Sequence, residues 1–289
     1  MSSSSKTKYC GMSPHQIKEI QDKLLDLIVY FDTFCKENGI EYYLEGGSAL
    51  GAIRHQDFIP WDDDFDVLLT QENYEKLLQL SQTSKFDNSI FYMQSENSEE
   101  WPCYYSKLRM NGTTYIEENT KHNNMHNGFF IDIFCLYNVS SNKFVRYTQY
   151  LAARFLVAKS LAKKGYNTKT LKKRFVMYLS NLFINKYLEE KLFGVVNQYR
   201  NCETEFIGNL FTRGNFKRNC YPKYYMGKPR LVKFGKLRLP VGEYVEHFLK
   251  LLFGDYMKMP DEKTRSKYPS HVTFFDTEVD YKEYAGKKF

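Results

Sequence analysis

The sequence predicts an α+β protein, with a mixed α/β core sheet flanked by helices. Three observations carry this prediction: an amphipathic helix near the N-terminus, short β-rich runs from residue 89 to residue 136, and a helical period from residue 141 to about residue 201. We divide the chain into a core over residues 12–138 and a helical and C-terminal segment over residues 139–289. This second segment is expected to contain a helical insertion and to pack back on the core, so that both complete a single unit.

The first predicted elements are a long helix and a strand–turn–helix unit. Ser13 is expected to be the N-cap of the helix, with Gln16 three residues later, and Gly39 is expected to follow its end. The apolar residues of this helix recur every three or four positions, at Ile17, Ile20, Leu24, Leu27, Phe31 and Phe34. The next elements are predicted to be a strand over 41–44, a short helix from a Gly-Gly-Ser turn to about residue 55, a strand over 65–69 and a helix over 71–81.

The remaining elements are short strands, a group of helices and a C-terminal hairpin. Strands are predicted over 90–94, 103–110, 113–117 and 128–136, and Asn111-Gly112 predicts a hairpin between the second and third of them. The helices after residue 141 carry many aromatic residues, and packing between helices is their expected role. The tail is predicted to form a hairpin over 231–239 and a helix over 241–252.

The charge of the chain favours an anionic partner. Lys and Arg number 41 against 34 Asp and Glu, giving a net charge of +7 that is concentrated in the second half. Nucleic acid, an anionic membrane surface and a phosphate-rich substrate all fit this excess, and so does an ordinary solubilising surface.

The location is expected to be cytoplasmic. Six Cys residues form no Cys-x-x-Cys pair, which indicates reduced thiols, and the Ser-rich opening has no apolar stretch behind it. The longest uncharged apolar run, residues 175–185, is far shorter than the roughly 20 residues of a membrane-spanning helix. Any membrane contact is therefore expected to be peripheral, at the inner face of the cell membrane.

Three carboxylates are the strongest candidates for chemistry. Asp64 and Asp66 are one residue apart at the start of a predicted strand, so their side chains are expected on the same face. Asp132 is a single charge inside the apolar run 129–134, where an unpaired carboxylate is costly. Oxygen ligands of this kind suit Mg²⁺ or Mn²⁺. A solvated acidic turn would explain Asp62 and Asp63, but it explains Asp66 poorly.

These motifs resemble the polymerase-beta-like nucleotidyltransferase superfamily. Within it, three segments are similar to the LicD family of phosphotransferases, which includes choline-phosphate transferases and, more distantly, the fukutin-related proteins. The segments read Gly-Gly-Ser-Ala-Leu-Gly-Ala-Ile-Arg-His from residue 46, Phe-Ile-Pro-Trp-Asp-Asp-Asp-Phe-Asp-Val from residue 58, and Phe-Ile-Asp-Ile-Phe from residue 130. The resemblance spans about residues 15–271, although the middle helices match only loosely.

The resemblance implies roles for particular residues. Asp64, Asp66 and Asp132 would hold the metal and catalyse transfer, with Asp132 the best candidate to deprotonate the acceptor. The resemblance places the donor phosphate against the turn residues Gly46, Gly47 and Ser48. Arg54 could reach the same phosphate, or could pair with one of residues 62–64.

Three further residues are candidates for substrate contact. Lys107 and Arg109 could neutralise the leaving nucleotide, although a solvated strand face is the commoner reason for such a pair. His126, near Asp132 in the sequence, is expected to contact substrate. His122 and His126 have the spacing of two zinc ligands on a helix, but the polar loop around them does not favour a helix.

The implied reaction is metal-dependent transfer of phosphocholine from CDP-choline to a hydroxyl of a cell-surface glycan or of its lipid-linked precursor. CDP-ribitol and CDP-glycerol would use the same metal site, and a choline cation could be held by Trp61, Trp101 or a Tyr cluster. One alternative is a nucleotidyltransferase that releases pyrophosphate. Another is a non-catalytic module that binds membrane or nucleic acid through its basic half; no nucleic acid is expected if the transferase interpretation is right.

Overall fold

The structure, a computed structural model, describes residues 12–117, 125–265 and 270–287. Its α-helices are α1 Pro14–Glu37, α2 Gly46–Leu50, α3 Gln71–Leu80, α4 Lys143–Lys163, α5 Leu171–Phe183, α6 Lys186–Asn197, α7 Phe216–Asn219, α8 Val245–Phe253 and α9 Glu262–Arg265. Its strands are β1 Tyr43–Leu44, β2 Asp66–Thr70, β3 Phe91–Gln94, β4 Ser106–Met110, β5 Thr114–Glu117, β6 Phe130–Val139, β7 Phe206–Gly208, β8 Cys220–Pro222, β9 Arg230–Phe234, β10 Leu237–Val241 and β11 Val272–Asp276. The predicted α+β class is confirmed.

The central sheet has the order β1-β2-β6-β4-β3, with β7 joined to β6 and β8 to β7. Only β2 and β6 run parallel among the pairs of this sheet in the described chain, and every other pair is antiparallel. Strand β6 is buried along most of its length because β2 and β4 cover both of its edges and helices pack on its faces. The middle of β6 therefore lies at the centre of the molecule.

Helix α1 begins where the sequence predicts. The backbone N–H of Gln16 donates to the Ser13 hydroxyl at 3.3 Å, and the backbone N–H of Ser13 donates to Gln16 Oε1 at 3.0 Å, which forms a capping box. The apolar face of the helix is buried and packs toward β4 and β6. Gly39 follows the helix with a φ of +60°, a conformation that favours glycine.

The predicted hairpin around Asn111-Gly112 is wrong. Gly112 has the positive φ of a tight turn, but the two strands beside it do not pair. Both edges of β4 are already occupied, by β3 and by β6, so β5 has no free edge of β4 to join. It pairs instead with β11 from the C-terminal end, in a separate two-stranded sheet.

The second half of the chain packs back on the core, as predicted. Strand β7 extends the central sheet from the end of β6, and β11 pairs with β5. The predicted C-terminal hairpin is also confirmed, as β9 and β10 around Gly235. The proposed division at residue 138 stays a prediction, and β6 itself crosses that position.

Helices α5 and α6 both pack against α4, and the predicted role of their aromatic residues is wrong for many of them. The large apolar side chains of α4–α6 that remain exposed are Phe144, Tyr147, Leu151, Phe155, Leu171, Phe175, Val176, Tyr178, Leu182, Phe183, Tyr187, Leu188 and Val195. Small residues such as Ala152 and Ala153 form the close contacts of α4 instead. Many of the aromatic residues of these helices are therefore surface residues, whereas Tyr150 and Phe193 pack against the core as predicted.

Across the described ranges, the structure contains no helix with both the length and the apolar character needed to cross a bilayer.

Candidate active site

Three neighbouring strands bring charged residues into one row across the central sheet. Asp66 on β2 lies beside Asp132 on β6, and Asp132 lies beside Lys107 on β4. The register of the parallel pair thus places two carboxylates on adjacent strands and on the same face. Asp64 precedes β2 by two residues and lines the same cavity.

This cavity has a volume of about 630 Å³, a size typical of pockets for small ligands. Its carboxylates are Glu45, Asp64, Asp66, Glu117 and Asp132. Its basic side chains are Arg154, Lys164, Lys173, Arg213 and His271, and aromatic rings such as those of Tyr104 and Tyr105 also line it. A ligand here would meet negative charge from the sheet and positive charge from the helical segment.

The carboxylates of the sheet repel one another. Burial and the charges of Asp64, Glu45 and Asp132 raise the pKa of Asp66 well above its usual range. Burial and the charge of Asp64 raise the pKa of Glu45 to about 7. Burial also raises the pKa of Asp64 and of Asp132, and nearby cations offset only part of this rise. The cluster therefore favours a bound cation or bound protons.

Lys107 supplies part of the compensating charge from within the sheet. Its ammonium lies 2.8 Å from Asp132 Oδ1 and 3.6 Å from Glu117 Oε2, and its side chain is only 1% exposed. Burial alone would raise the pKa of Glu117, but the charges of Lys107, Lys164 and Arg109 outweigh it and bring that pKa to about 2. Lys107 thus holds two carboxylates, and it is not part of the cavity lining in the described chain.

Asp63 is buried, so its interpretation as part of a solvated turn is wrong. Its carboxylate accepts hydrogen bonds from the backbone N–H groups of His271 and Val272, at 2.8 and 3.2 Å, and from the Ser270 hydroxyl. The hydrogen bond with Asp63 and the charge of Asp64, 3.2 Å from Nδ1, raise the pKa of His271 to about 10 although burial opposes the rise. Asp63 therefore ties the C-terminal segment to the acidic cluster.

The Gly46-Gly47-Ser48 turn is linked directly to the acidic strand. Gly46 has a φ of +48°, which favours glycine. A Cβ on Gly47 would lie 2.8 Å from Asp62 Oδ2, so the missing side chain lets that carboxylate approach the turn. The Ser48 hydroxyl accepts a hydrogen bond from the backbone N–H of Asp66 at 2.9 Å. The turn thus positions β2, and its role in binding a donor phosphate stays a prediction.

The structure places the two candidate arginines outside the cavity. Arg54 donates to His55 Nε2 at 2.9 Å and to the Tyr256 carbonyl at 2.8 Å, and in the described chain it pairs with none of residues 62–64. Arg109 is fully buried and donates to Gln94 Oε1 and to the Gly128 carbonyl. A solvated strand face is therefore the wrong explanation for Lys107 and Arg109.

His126 is also placed away from the carboxylate cluster. Its Nδ1 accepts a hydrogen bond from the backbone N–H of Gly128 at 3.1 Å, and its Nε2 lies 2.9 Å from Asn111 Oδ1. Its ring stacks on Tyr92 with a centroid distance of 5.0 Å. Both ring nitrogens are used within the fold, so the structure gives this residue a structural environment. His122 lies outside the described residues.

The environment of His126 predicts a loss of stability in acid. Burial and the charge of Arg109 lower its pKa from 6.5 to about 4. The unfolded chain therefore binds a proton before the folded chain does, and stability falls as the pH drops from about 6.5 toward 4. The free energy of unfolding is measured by urea unfolding for wild type and for His126→Asn at each pH. Between pH 6.5 and about pH 4, we expect the value for wild type minus the value for the variant to fall by about 2–3 kcal/mol. Parallel pH curves for the two proteins would contradict this.

Both Trp residues already face a cation of the chain. The fully buried Trp101 ring has Lys164 Nζ at 4.1 Å and Lys107 Nζ at 5.2 Å from its centroid. The Trp61 ring has the Arg265 guanidinium at 5.2 Å. The cavity itself is lined by other aromatic rings, those of Tyr104, Tyr105, Tyr166, Phe130, Phe134 and Phe211.

The donor set of the cavity fits a hard divalent cation in its chemistry. In the described ranges, no group of three or more acidic, His or Cys side chains is already placed as a set of metal ligands. Asp132 instead pairs with Lys107, and Asp64 pairs with His271. Their buried and mutually repelling oxygens are the ligands that Mg²⁺ and Mn²⁺ prefer.

Three residues of the site were not predicted from the sequence. Glu45 directly precedes the Gly-Gly turn at the end of a strand, and this position is the feature of the sequence that could have predicted it as a site residue. Glu117 is the last residue of β5, but its approach to Lys107 depends on the path of β5. His271 lies more than 200 residues from Asp63, in a segment with no local signal of function.

Comparison with known proteins shows which sequences this chain is similar to. Residues 39–159 match the family described as LicD/FKTN/FKRP, nucleotidyltransferase domain. The lipopolysaccharide cholinephosphotransferase LicD of Haemophilus influenzae is 26% identical over 262 residues, which cover 89% of this chain and 96% of that protein. The human ribitol 5-phosphate transferase FKRP is 52% identical over 42 residues, which cover 14% of this chain and 8% of that protein. Residues 39–159 of the chain are therefore similar to the nucleotidyltransferase domain of the LicD family, and most of the chain is similar to a LicD cholinephosphotransferase.

Proposed function

We propose that the chain transfers phosphocholine, or a related alcohol phosphate, from a CDP-activated donor to a hydroxyl of a cell-surface glycan or of its lipid-linked precursor. The observation that carries this proposal is one cavity that is lined both by Asp64, Asp66 and Asp132 and by basic side chains from the second half of the chain. The likeness to a cholinephosphotransferase over most of both chains supports the reaction class. The short match to a ribitol 5-phosphate transferase is the reason to test CDP-ribitol as well.

The proposal assigns Mg²⁺, or Mn²⁺, to Asp64, Asp66 and Asp132. When bound, such an ion would supply positive charge to the oxygens of the transferred phosphate. In the same cavity, Arg154, Lys164, Lys173 and Arg213 would bind the diphosphate of the nucleotide and stabilise the charge that develops on the leaving CMP.

The proposed step forms one bond and breaks one. The acceptor oxygen forms a bond to the phosphorus that carries the alcohol, the bond from that phosphorus to the bridging oxygen of the diphosphate breaks, and CMP leaves with that oxygen. The acceptor hydroxyl must lose its proton to a carboxylate of the cavity. Asp132 is the residue predicted from the sequence for this role; its ion pair with Lys107 opposes protonation, whereas burial favours it and raises its pKa overall. Glu45, which accepts a hydrogen bond from the Asn209 amide at 3.4 Å and whose pKa burial raises to about 7, is the second candidate for the proton.

A donor panel tests this function. Purified protein is incubated with Mg²⁺, an acceptor extract and one of CDP-choline, CDP-ribitol, CDP-glycerol or ATP, and CMP and pyrophosphate are quantified. We expect CMP from one CDP-alcohol, and neither product from Asp64→Asn or Glu45→Gln. Pyrophosphate from ATP would instead support a nucleotidyltransferase, and no turnover with any donor would contradict an enzymatic role.

A further inference from the structure

Helix α5 has an apolar stripe that faces solvent rather than the core. Its four members are spaced at i, i+4, i+7 and i+11, so they lie on one side of the helix. They are Leu171, Phe175, Tyr178 and Leu182, exposed by 77%, 61%, 65% and 60%. We call this set the outer stripe. Only Met177 and Ser180 of α5 are buried, on the opposite side. An exposed apolar surface of this regularity marks a site of interaction.

Basic residues lie on both sides of the outer stripe. Lys172 and Arg174 follow Leu171 by one and three positions, which places them on opposite flanks of the stripe, and both are exposed. From residue 133 to residue 188 the chain contains eleven Lys and Arg residues and no Asp or Glu. An apolar stripe between two basic flanks is the pattern of a helix that lies in the surface of an anionic bilayer.

Other occupants fit this surface less well. A dimer in which two copies of α5 pair in parallel through the outer stripe would bring Lys172 and Arg174 of both copies together, and α5 has no acidic residue to offset their charge. Nucleic acid would be attracted to the basic flanks and could stack on Phe175 and Tyr178. The aliphatic Leu171 and Leu182 at the two ends of the stripe would gain little from it, whereas lipid would bury all four side chains. The charge and the shape of the surface therefore favour lipid.

The same helix forms a wall of the cavity. Lys173, Val176 and Met177 of α5 line the cavity that contains the carboxylates, from the side of the helix opposite the outer stripe. The thickness of a helix with its side chains is about 10–12 Å, so a bilayer against the stripe would lie about that far from the cavity wall.

We propose that the outer stripe docks the chain on an anionic membrane surface, with α5 between the lipid and the cavity. The docking is supported by the exposed outer stripe and its basic flanks. Its consequence, that the acceptor is carried on a lipid, rests on the proposed transferase function.

Vesicle co-sedimentation of the purified chain, residues 1–289, tests the docking. The vesicles contain phosphatidylcholine alone or phosphatidylcholine mixed with phosphatidylglycerol. We expect binding to the anionic vesicles that weakens with added salt, and an affinity at least about tenfold lower for Phe175→Ser/Leu182→Ser, because two buried apolar side chains are lost. Lys172→Gln/Arg174→Gln is expected to weaken binding to anionic vesicles specifically. The matched control is Ile90→Ser, an exposed apolar residue outside this segment.

Equal vesicle binding by all four proteins, or none by wild type, would overturn the proposal. A wild-type dimer in light scattering that becomes a monomer in Phe175→Ser/Leu182→Ser, without vesicle binding, would assign the stripe to a second copy. RNA binding that is equally strong in wild type and in Phe175→Ser/Leu182→Ser, without vesicle binding, would assign the basic flanks to nucleic acid. CMP release from soluble donor is expected to be unchanged in this variant. If wild type binds the vesicles but releases no CMP, the transferase function is contradicted and the docking proposal is retained.

Discussion

Replacement of Asp66 by Asn is expected to remove transferase activity and to stabilise the metal-free protein. The activity should fall by about 10³-fold or more, because a charged group that stabilises the transition state is lost. The stability should rise because Asn keeps the shape of the side chain without its charge, and the charges of Asp64, Glu45 and Asp132 raise the pKa of Asp66 in the wild type. We expect the midpoint of thermal unfolding in EDTA to rise by a few degrees, the shift that about 1 kcal/mol produces in a chain of this size.

A surface carboxylate provides the control for this substitution. Asp22 lies exposed on α1 in an ion pair with Lys18, so Asp22→Asn should change neither CMP release nor the unfolding midpoint appreciably. A lower midpoint for Asp66→Asn in EDTA would contradict the repulsion between carboxylates. Wild-type rates of CMP release in the same variant would contradict its catalytic role.

Replacement of Lys107 by Gln is expected to destabilise the protein by about 3–5 kcal/mol. The substitution removes a buried cation 2.8 Å from Asp132 and 3.6 Å from Glu117, and a buried carboxylate that loses its partner carries the full penalty of desolvation. Urea unfolding, with the slope checked for a two-state transition, measures this loss.

Two further variants define the origin of this effect. Lys107→Gln/Asp132→Asn should recover part of the stability, because one of the two unpaired charges is gone and the sites are coupled. Lys18→Gln, which breaks an exposed pair, should lose no more than about 1 kcal/mol. A loss of similar size for Lys107→Gln and Lys18→Gln would show that the buried ion pairs do not carry the stability assigned to them.

Local signals in the sequence predict the individual elements of the fold well. The Ser13 cap, the spacing of apolar residues on α1 and the alternation around Asp66 and Asp132 depend on near neighbours, and the structure confirms the elements they predict. The pairing of strands depends on which edges are free. Asn111-Gly112 therefore predicts a turn correctly but a hairpin wrongly, because β3 and β6 already occupy both edges of β4.

The site could be predicted only in part for the same reason. Asp64, Asp66 and Asp132 were recognisable as charges in apolar surroundings, and the structure brings them to one cavity. The pairing of Asp63 with His271 joins segments that are distant in the sequence, so no local pattern predicts it. Arg109 and His126 were assigned to substrate from residue type and position, whereas their hydrogen bonds within the fold depend on the course of surrounding loops.

Binding of Mn²⁺ to the metal-free protein, followed by electron paramagnetic resonance, tests most directly the claim that the carboxylates beside β2 and β6 form the metal site. The wild type and Asp22→Asn are predicted to bind Mn²⁺ with the same affinity, and Mg²⁺ is predicted to displace it. Asp64→Asn, Asp66→Asn and Asp132→Asn are each predicted to bind it at least about tenfold more weakly, because each loses a charged oxygen ligand. Equal affinity in all five proteins would contradict the account.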